Sequence, residues 1–226
     1  MRIRHHGSVF LSAASIVALA FADGLRPERE LLVSEWADTF RIMAETSPEP
    51  GAWRTERVPY TREIMDNFSP ASPVETTVLM KAAQGAGTEV ILNALGAVCD
   101  QFTGDILFVA PTLPVAKKLS KRYTDMVEAT PTLRLKVSQQ LGSSNTIYSK
   151  TYAGGTIFFT GANSAAGLRS DPIRFLAMDE IDGYPVDVQK EGDAIDLATA
   201  RTGAFRNRKI LMVSTPTNLG QSNIHT

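Results

Sequence analysis

Short apolar runs alternate with stretches of helical spacing along the chain after residue 74. Apolar runs of this length predict buried strands, whereas apolar residues three and four positions apart predict helices. Strands are predicted at residues 75–80, 106–110, 146–152, 155–161, 174–178 and 209–214, the third and fourth joined as a hairpin. Helices are predicted at residues 88–101, 113–128 and 194–201. This alternation predicts an α/β fold with a mostly parallel central sheet flanked by helices.

The first part of the chain has a different pattern. Amphipathic spacing predicts helices at residues 8–23 and 31–44, and a short helix at residues 61–67. Pro and Gly are frequent between residues 46 and 73, which predicts a wrapping arm rather than an independent domain. We therefore expect a helical N-terminal extension, residues 1–70, that packs on an α/β domain formed by residues 71–226.

The N-terminus also has features of a secretory signal. Arg2 and Arg4 precede an apolar run at residues 9–20. The run is too short to span a bilayer, and amphipathic spacing resumes at residue 31. This pattern favours a surface helix.

Composition narrows the chemistry. The formal net charge is −1, so any contact with nucleic acid would depend on a local basic patch. Two clusters could form such a patch or could be solvated surface: Lys117, Lys118, Lys121 and Arg122, or Arg201, Arg206, Arg208 and Lys209. A single cysteine, Cys99, excludes an internal disulfide, and the three histidines lack the spacing of a zinc site.

The segment after the first predicted strand of the sheet has the layout of a phosphate-binding loop. A small-residue loop at residues 81–87 joins that strand to a helix, and such loops present backbone N–H groups to an anion. The usual pattern G-x-x-x-x-G-K-[ST] is broken, however. Counted back from Thr88, Gly87 stands at the lysine position, Ala86 at the second glycine and Lys81 at the first. On these residues alone, an ordinary turn between strand and helix is the simpler interpretation.

Two acidic residues, Asp179 and Glu180, end the apolar run at 174–178. Ligands of α/β sheets bind beyond the carboxyl ends of the strands, so these acids are expected beside the loop at residues 81–87, which resembles a phosphate-binding loop. Asp179 would hold Mg²⁺, and Glu180 would orient and deprotonate an attacking water. A polar turn is the alternative.

Two further segments could take part in the same site. The last predicted strand ends in Ser214 and Thr215, whose hydroxyl groups could sense the γ-phosphate of a nucleotide; a strand followed by a proline turn is the alternative. In the small-residue loop at 160–170, Arg169 could contact a phosphate, unless the segment is a simple flexible loop.

The ordered set of these motifs is specific, although no single motif is. The set comprises Trp53-Arg54-Thr55, Pro59-Tyr60, residues 62–66, Lys81-Ala82-Ala83-Gln84, Gly161-Ala162-Asn163-Ser164, Gly167-Leu168-Arg169-Ser170, Asp179-Glu180 and Ser214-Thr215-Pro216. From about residue 36 to the C-terminus, the chain resembles the large terminase subunit of tailed phages, in its lambda-type (GpA) branch.

The resemblance implies a P-loop NTPase fold and an Mg²⁺-dependent ATPase that drives double-stranded DNA into a procapsid. It also implies a small terminase subunit and the portal or procapsid as partners, a homo-oligomeric ring, and the host cytoplasm, so that the signal-like N-terminus is no signal. Members carry a nuclease domain after the motor. Because the sequence stops after the last motif, we expect the nuclease domain to be absent.

The resemblance also assigns roles to residues. Lys81 is a displaced phosphate-loop lysine, Thr88 and Asp179 bind Mg²⁺, and Glu180 is the catalytic carboxylate that activates water. Ser214 and Thr215 form the motif that couples hydrolysis to movement. Further contacts to ATP are expected from Ala82, Ala83, Gln84, Gly85, Ala86, Gly87, Thr88 and Glu89, with Tyr60 stacking on adenine. An arginine from this chain or a neighbouring subunit completes the site, with Arg169 and Arg201 as candidates.

One departure keeps two alternatives open. Many relatives have Gly-Lys-Thr where this chain has Ala86-Gly87-Thr88, and loss of a charge beside the β- and γ-phosphates is severe for turnover. The chain could therefore be a nucleotide-binding assembly protein that does not hydrolyse ATP. The acidic pair and the hydroxyl motif would also suit a helicase-like ATPase that remodels nucleic acid.

Overall fold

The computed structural model describes residues 12–24, 30–137, 145–169, 171–217 and 222–224. The chain forms two compact units, Met1–Glu30 and Leu31–Thr226. In the first unit, the helix predicted at residues 8–23 is found as α1 (Ala13–Gly24), while residues 8–11 lie outside the described part. Within the described residues, no helix has both the length and the apolar character that crossing a bilayer requires.

A six-stranded sheet is the centre of the second unit. Two short strands, β1 (Ile42–Met43) and β2 (Gly51–Ala52), pair separately in the arm. The strands of the main sheet are β3 (Thr76–Met80), β4 (Ile106–Ala110), β5 (Ser149–Tyr152), β6 (Gly155–Gly161), β7 (Phe175–Asp179) and β8 (Lys209–Ser214). Their order is β3-β8-β7-β4-β6-β5, and only the β5–β6 hairpin is antiparallel. The predicted mostly parallel sheet is confirmed.

The pairing register brings the motif-bearing strand ends together. Met80 of β3 pairs with Ser214 of β8, and Asp179 of β7 pairs with Val213 of β8. The residues that follow β3, β7 and β8 therefore leave the sheet at the same edge. This edge holds the candidate site.

Helices cover both faces of the sheet. They are α2 (Val33–Phe40), α3 (Thr61–Asn67), α4 (Gly87–Gln101), α5 (Leu113–Ala129), α6 (Pro131–Val137), α7 (Ala165–Leu168) and α8 (Ala194–Ala200). One apolar cluster joins the sheet to α2–α6, and a second joins the opposite face to α7 and α8. All five residues of β4 and of β7 are buried, as continuous apolar runs at the centre of such a sheet require.

One predicted helix has the wrong end, and one short helix was missed. The helix predicted at residues 31–44 ends at Phe40, because Arg41 is extended and the chain then enters β1. Helix α6 was not predicted, since seven residues are too few to show a clear helical period. It begins at Pro131, whose fixed φ suits the first position of a helix.

Helix α2 packs on α4 through one aromatic side chain. Trp36 of α2 is fully buried, and its Nε1 donates a hydrogen bond to Oδ2 of Asp100 at 2.6 Å. A Cβ atom on Gly96 of α4 would lie 2.8 Å from Cζ3 of the Trp36 ring, so the ring rests directly on the helix backbone. Residues 31–70 thus belong to the same compact unit as the sheet. The predicted division at residue 70 stays a prediction.

Candidate active site

The loop between β3 and α4 has a strained backbone suited to binding an anion. Gln84 and Ala86 have φ values of 59° and 55°, in the left-handed region that costs a non-glycine residue about 1–3 kcal/mol. Ala86 is the N-cap of α4 and provides no side-chain hydrogen bond to the helix. The amides of the first turn of α4 are consequently available to a ligand at its positive end.

Lys81 links the loop to the ends of β7 and β8. Its Nζ donates to Oε1 of Glu180 at 2.7 Å and to Oγ1 of Thr215 at 3.0 Å. Its backbone N–H donates to the carbonyl oxygen of Ser214 at 3.0 Å. The Lys81 side chain is 8% exposed, so the ammonium group lies well inside the site.

Gly87 leaves the space that the Lys81 stem occupies. A Cβ atom on Gly87 would lie 2.7 Å from Cδ of Lys81, closer still to Cε, and 2.6 Å from Cγ1 of Val213. Such distances are too short for carbon atoms, so any side chain at position 87 would displace Lys81. The lysine at position 81 and the glycine at position 87 therefore depend on each other.

Glu180 is fixed at the end of β7 by the neighbouring strand. It has a left-handed φ of 52°, and its Oε2 accepts a hydrogen bond from the backbone N–H of Thr215 at 3.1 Å. The Oγ of Ser214 accepts a hydrogen bond from the backbone N–H of Asp182 at 3.1 Å. The side chain of Glu180 is still 42% exposed, so a water molecule can reach it.

Asp179 and Thr88 form an arrangement that fits a divalent cation. Thr88 Oγ1 lies 3.5 Å from Oδ2 of Asp179, while the buried Oδ1 has no hydrogen-bond partner among the described residues. Burial, followed by the nearby charge of Glu180, raises the pKa of Asp179 to about 6, although the Lys81 ammonium partly opposes the rise. A buried carboxylate oxygen without a donor, beside a hydroxyl group, suits Mg²⁺, which prefers oxygen ligands.

A pocket of about 900 Å³ opens at this edge of the sheet. Its wall is formed by the arm, by the phosphate-like loop, by α5 and by the end of β7. The lining residues are Met43, Ser47, Pro48, Glu49, Arg57, Val58, Lys81, Gln84, Gly85, Ala86, Gly87, Thr88, Glu89, Arg122 and Glu180. Ala82 and Ala83, also predicted to contact ATP, belong to the same loop but are not part of this lining.

Two arginines missed by the sequence analysis hold Glu89. Arg41 Nη2 pairs with Oε2 of Glu89 at 2.8 Å, and Arg122 pairs with the other oxygen, Oε1. Arg41 also donates to Oδ1 of Asn93 at 2.6 Å. The Glu89 carboxylate is thus engaged by protein groups. Sequence spacing offered no signal, because the three charged residues lie in three separate elements.

Three other residues predicted to belong to the site, Tyr60, Arg169 and Arg201, lie apart from Lys81 and Glu180. Tyr60 precedes α3 and is 55% exposed, while Arg57 and Val58 form the arm side of the pocket. Arg169 pairs with Glu191 at 2.8 Å, and Arg201 Nε donates to the carbonyl oxygen of Leu168 at 3.0 Å. Stacking by Tyr60 and the role of either arginine stay predictions.

Comparison with known proteins identifies related sequences and folds. Residues 47–226 match the family described as phage terminase large subunit gpA, ATPase domain. The terminase large subunit of Enterobacteria phage P21 is 26% identical over 204 residues, which cover 86% of this chain and 30% of that protein. The crystal structure of the HK97 bacteriophage large terminase matches with a TM-score of 0.65 and 18% identity, over 82% of this chain and 37% of that one. The chain therefore spans about a third of the length of these two proteins.

Proposed function

Since the chain belongs to the family of phage terminase large subunits, gpA ATPase domain, we propose that it hydrolyses ATP with Mg²⁺ to move double-stranded DNA into a procapsid. The observation that carries the proposal is the meeting of Lys81, Glu180 and Thr215 at the rim of the 900 Å³ pocket. A cation for the phosphates and a base for the attacking water are groups that phosphoryl transfer uses, and the Thr215 hydroxyl connects them to the end of β8.

ATP would bind with its phosphates on the loop. The backbone amides of residues 82–88 and the ammonium of Lys81 stabilise the charge on the β- and γ-phosphates. Thr88 and Asp179 would hold Mg²⁺, which supplies further positive charge to the phosphate oxygens. Apolar groups of Met43, Pro48 and Val58 would contact the adenine ring of ATP on the arm side of the pocket. Stacking of Tyr60 on adenine is part of the same proposal.

Glu180 would act as the base. Without nucleotide, its two oxygens accept hydrogen bonds from Nζ of Lys81 and the N–H of Thr215. A bound γ-phosphate competes for the Lys81 ammonium, and this frees Oε1 of Glu180 to accept a proton from the attacking water. The remaining bond to Thr215 ties the state of the base to the end of β8, which is the proposed coupling motif.

The proposal includes the assembly of several copies of the chain with partner proteins, which is inferred from the family. A homo-oligomeric ring that binds the small terminase subunit and the portal or procapsid would bring an arginine from one subunit to the pocket of the next. Arg169 suits this role, since its side chain is 45% exposed and, among the described residues, pairs with Glu191 at the surface. Arg201 is the second candidate.

The two alternatives make different predictions. A non-hydrolysing assembly protein would bind nucleotide without releasing phosphate, but the Lys81 ammonium supplies the charge that Gly87 lacks. A helicase-like ATPase would separate the strands of a forked duplex, and a packaging motor would not.

The charge-neutral variant Glu180→Gln tests the proposed base. We expect turnover to fall by roughly 10²–10⁴-fold while nucleotide binding is kept, because the amide cannot accept the proton. Glu63→Gln, an exposed residue of α3, is the matched control and should hydrolyse ATP normally. Normal turnover in Glu180→Gln would contradict the assignment.

A further inference from the structure

Helix α5 presents a basic surface with exposed apolar groups. Lys118 and Lys121 are exposed, and Nζ of Lys117 lies 5.1 Å from the centre of the Tyr148 ring. Val115 and Tyr148 are also exposed. We call these five residues the α5 patch. We propose that the α5 patch binds the phosphodiester backbone of duplex DNA, an inference that rests on the proposed packaging function and locates its DNA contact.

The charge order of α5 is unfavourable for the helix itself. Two like-charged pairs are four residues apart, Lys117 with Lys121 and Lys118 with Arg122, and such pairs destabilise a helix. Its first turn has no acidic residue and its last turn no basic residue, so the termini gain nothing from the helix dipole. Lys121 also has an acidic residue four positions further on, Asp125, which offsets part of this cost. We attribute the remaining surplus of positive charge on the helix to an anionic partner.

The α5 patch lies at the edge of the sheet that holds the pocket. Helix α5 follows β4, so its first turn leaves the same edge as the phosphate-like loop and Glu180. Tyr148 precedes β5, which runs antiparallel to β6 and therefore begins at this edge. Arg122, next to Lys121, lines the pocket and pairs with Glu89. DNA on the α5 patch would be connected to the nucleotide site by one helix.

The other basic cluster of the sequence is largely engaged within the protein. Lys209 is buried and donates to the carbonyl oxygens of Ser72, at 2.6 Å, and Val74. Arg208 donates to Oε1 of Glu75 at 2.6 Å, and Arg201 donates to the carbonyl oxygen of Leu168. For Lys118 and Lys121, by contrast, no ion pair is found within the described part of the chain. The α5 patch is therefore the better candidate.

The chemistry of the α5 patch indicates binding without sequence preference. Lysine ammonium groups are point charges that suit phosphate oxygens, and phosphate contacts carry no direct sequence information. Exposed apolar groups beside them can rest on deoxyribose. Affinity should therefore depend strongly on salt and little on base sequence.

The test measures binding of the full chain to a fluorescent mixed-sequence DNA duplex over a range of salt concentrations, without nucleotide. In Lys118→Ala/Lys121→Ala, the slope of log K against log salt should fall by about 2, since each lost phosphate contact removes about 0.9. Affinity near 0.1 M salt should fall roughly tenfold or more. The control Arg206→Ala/Arg208→Ala removes the same charge at the opposite edge of the sheet and should bind as the unaltered chain does. Lys118→Arg/Lys121→Arg should retain binding.

Three outcomes would overturn the proposal: no duplex binding by the unaltered chain at low salt, an equal loss in the control, or unchanged affinity in the alanine variant. Unchanged affinity would instead point to an acidic protein surface as the partner. ATP turnover is measured on the same samples. Its absence in the unaltered chain would contradict the proposed hydrolysis, a failure distinct from any result with DNA.

Discussion

The side chain of Lys81 restricts position 87 to glycine. The Lys81 stem passes through the volume that a Cβ on Gly87 would need, and its ammonium reaches Glu180 beyond it. The glycine is therefore required by space and not by backbone conformation, since the left-handed φ values of the loop lie at Gln84 and Ala86.

We predict that Gly87→Ala slows ATP turnover at least tenfold, because the added methyl group pushes the Lys81 ammonium away from the phosphates and Glu180. Overpacking of this kind costs roughly 1–3 kcal/mol of stability, so the chain should still fold. Steady-state hydrolysis measures the effect. At Gly203, an added Cβ meets no atom within 4 Å, so Gly203→Ala is the control. Equal turnover in the two variants would show that the space is not needed.

Asp179 has a raised pKa that makes stability depend on pH. Its folded pKa of about 6 lies above the ordinary value of 3.8, so the folded state binds the proton more tightly. The stabilisation that the acid contributes is complete below pH 3.8 and is lost as the pH rises through about 6. At pH 8 the buried charge is a cost on the order of 2–3 kcal/mol in the absence of metal.

We predict that Asp179→Asn raises the free energy of unfolding by about 2 kcal/mol at pH 8 in EDTA, and that the gain shrinks as the pH falls towards 4. Urea unfolding at several pH values measures it. The exposed Asp171→Asn variant should show neither change. A gain independent of pH would contradict the stated cause.

Elements with a long, clear period were predictable, and short ones were not. The runs that became β4 and β8 were predicted residue by residue, because a buried parallel strand is a continuous apolar run. The pairing of β1 with β2 depends on only two residues per strand, and α6 is one and a half turns long. Local sequence cannot identify such elements, since tertiary contacts hold them.

The contact of α2 with α4 is predicted to tolerate no added atom. Gly96→Ala should raise helix propensity by about 1 kcal/mol yet lower the free energy of unfolding by roughly 1–3 kcal/mol, because the methyl group meets the Trp36 ring. Urea unfolding decides the sign. In the Trp36→Phe background, the smaller ring should reduce the loss. A net stabilisation by Gly96→Ala would show that the ring is free to move.

Across the whole unit of residues 31–226, one ionic network joins segments distant in sequence. Arg41 follows α2, Glu89 lies in the first turn of α4, and Arg122 belongs to α5. Burial lowers the pKa of Arg41, although Glu89 raises it, so the buried guanidinium depends on this partner. The sequence predicted that the candidate site residues after β3, β7 and β8 would lie at one edge of the sheet, because their motifs end adjacent strands. It did not predict this network, which no motif or spacing marks.

We predict unequal effects from the centre of this network and from its exposed end. Glu89→Gln should destabilise the fold by about 3 kcal/mol, because Arg41, only 4% exposed, keeps a buried charge without its counter-ion. Arg122→Gln should cost less than about 1 kcal/mol, since that side chain is half exposed. Denaturant unfolding compares the two. Similar losses in both variants would contradict the account.

The shared space of Lys81 and Gly87 also restricts the order in which this loop could change during evolution. A lysine introduced at position 87 would collide with Lys81, and loss of Lys81 alone would remove the only loop cation near the phosphates in the described structure. Either single substitution would impair the proposed turnover, and only the two together would return the lysine to its usual position. A lineage with the lysine at position 81 is thus held there, because position 87 has no space for a side chain while Lys81 is present.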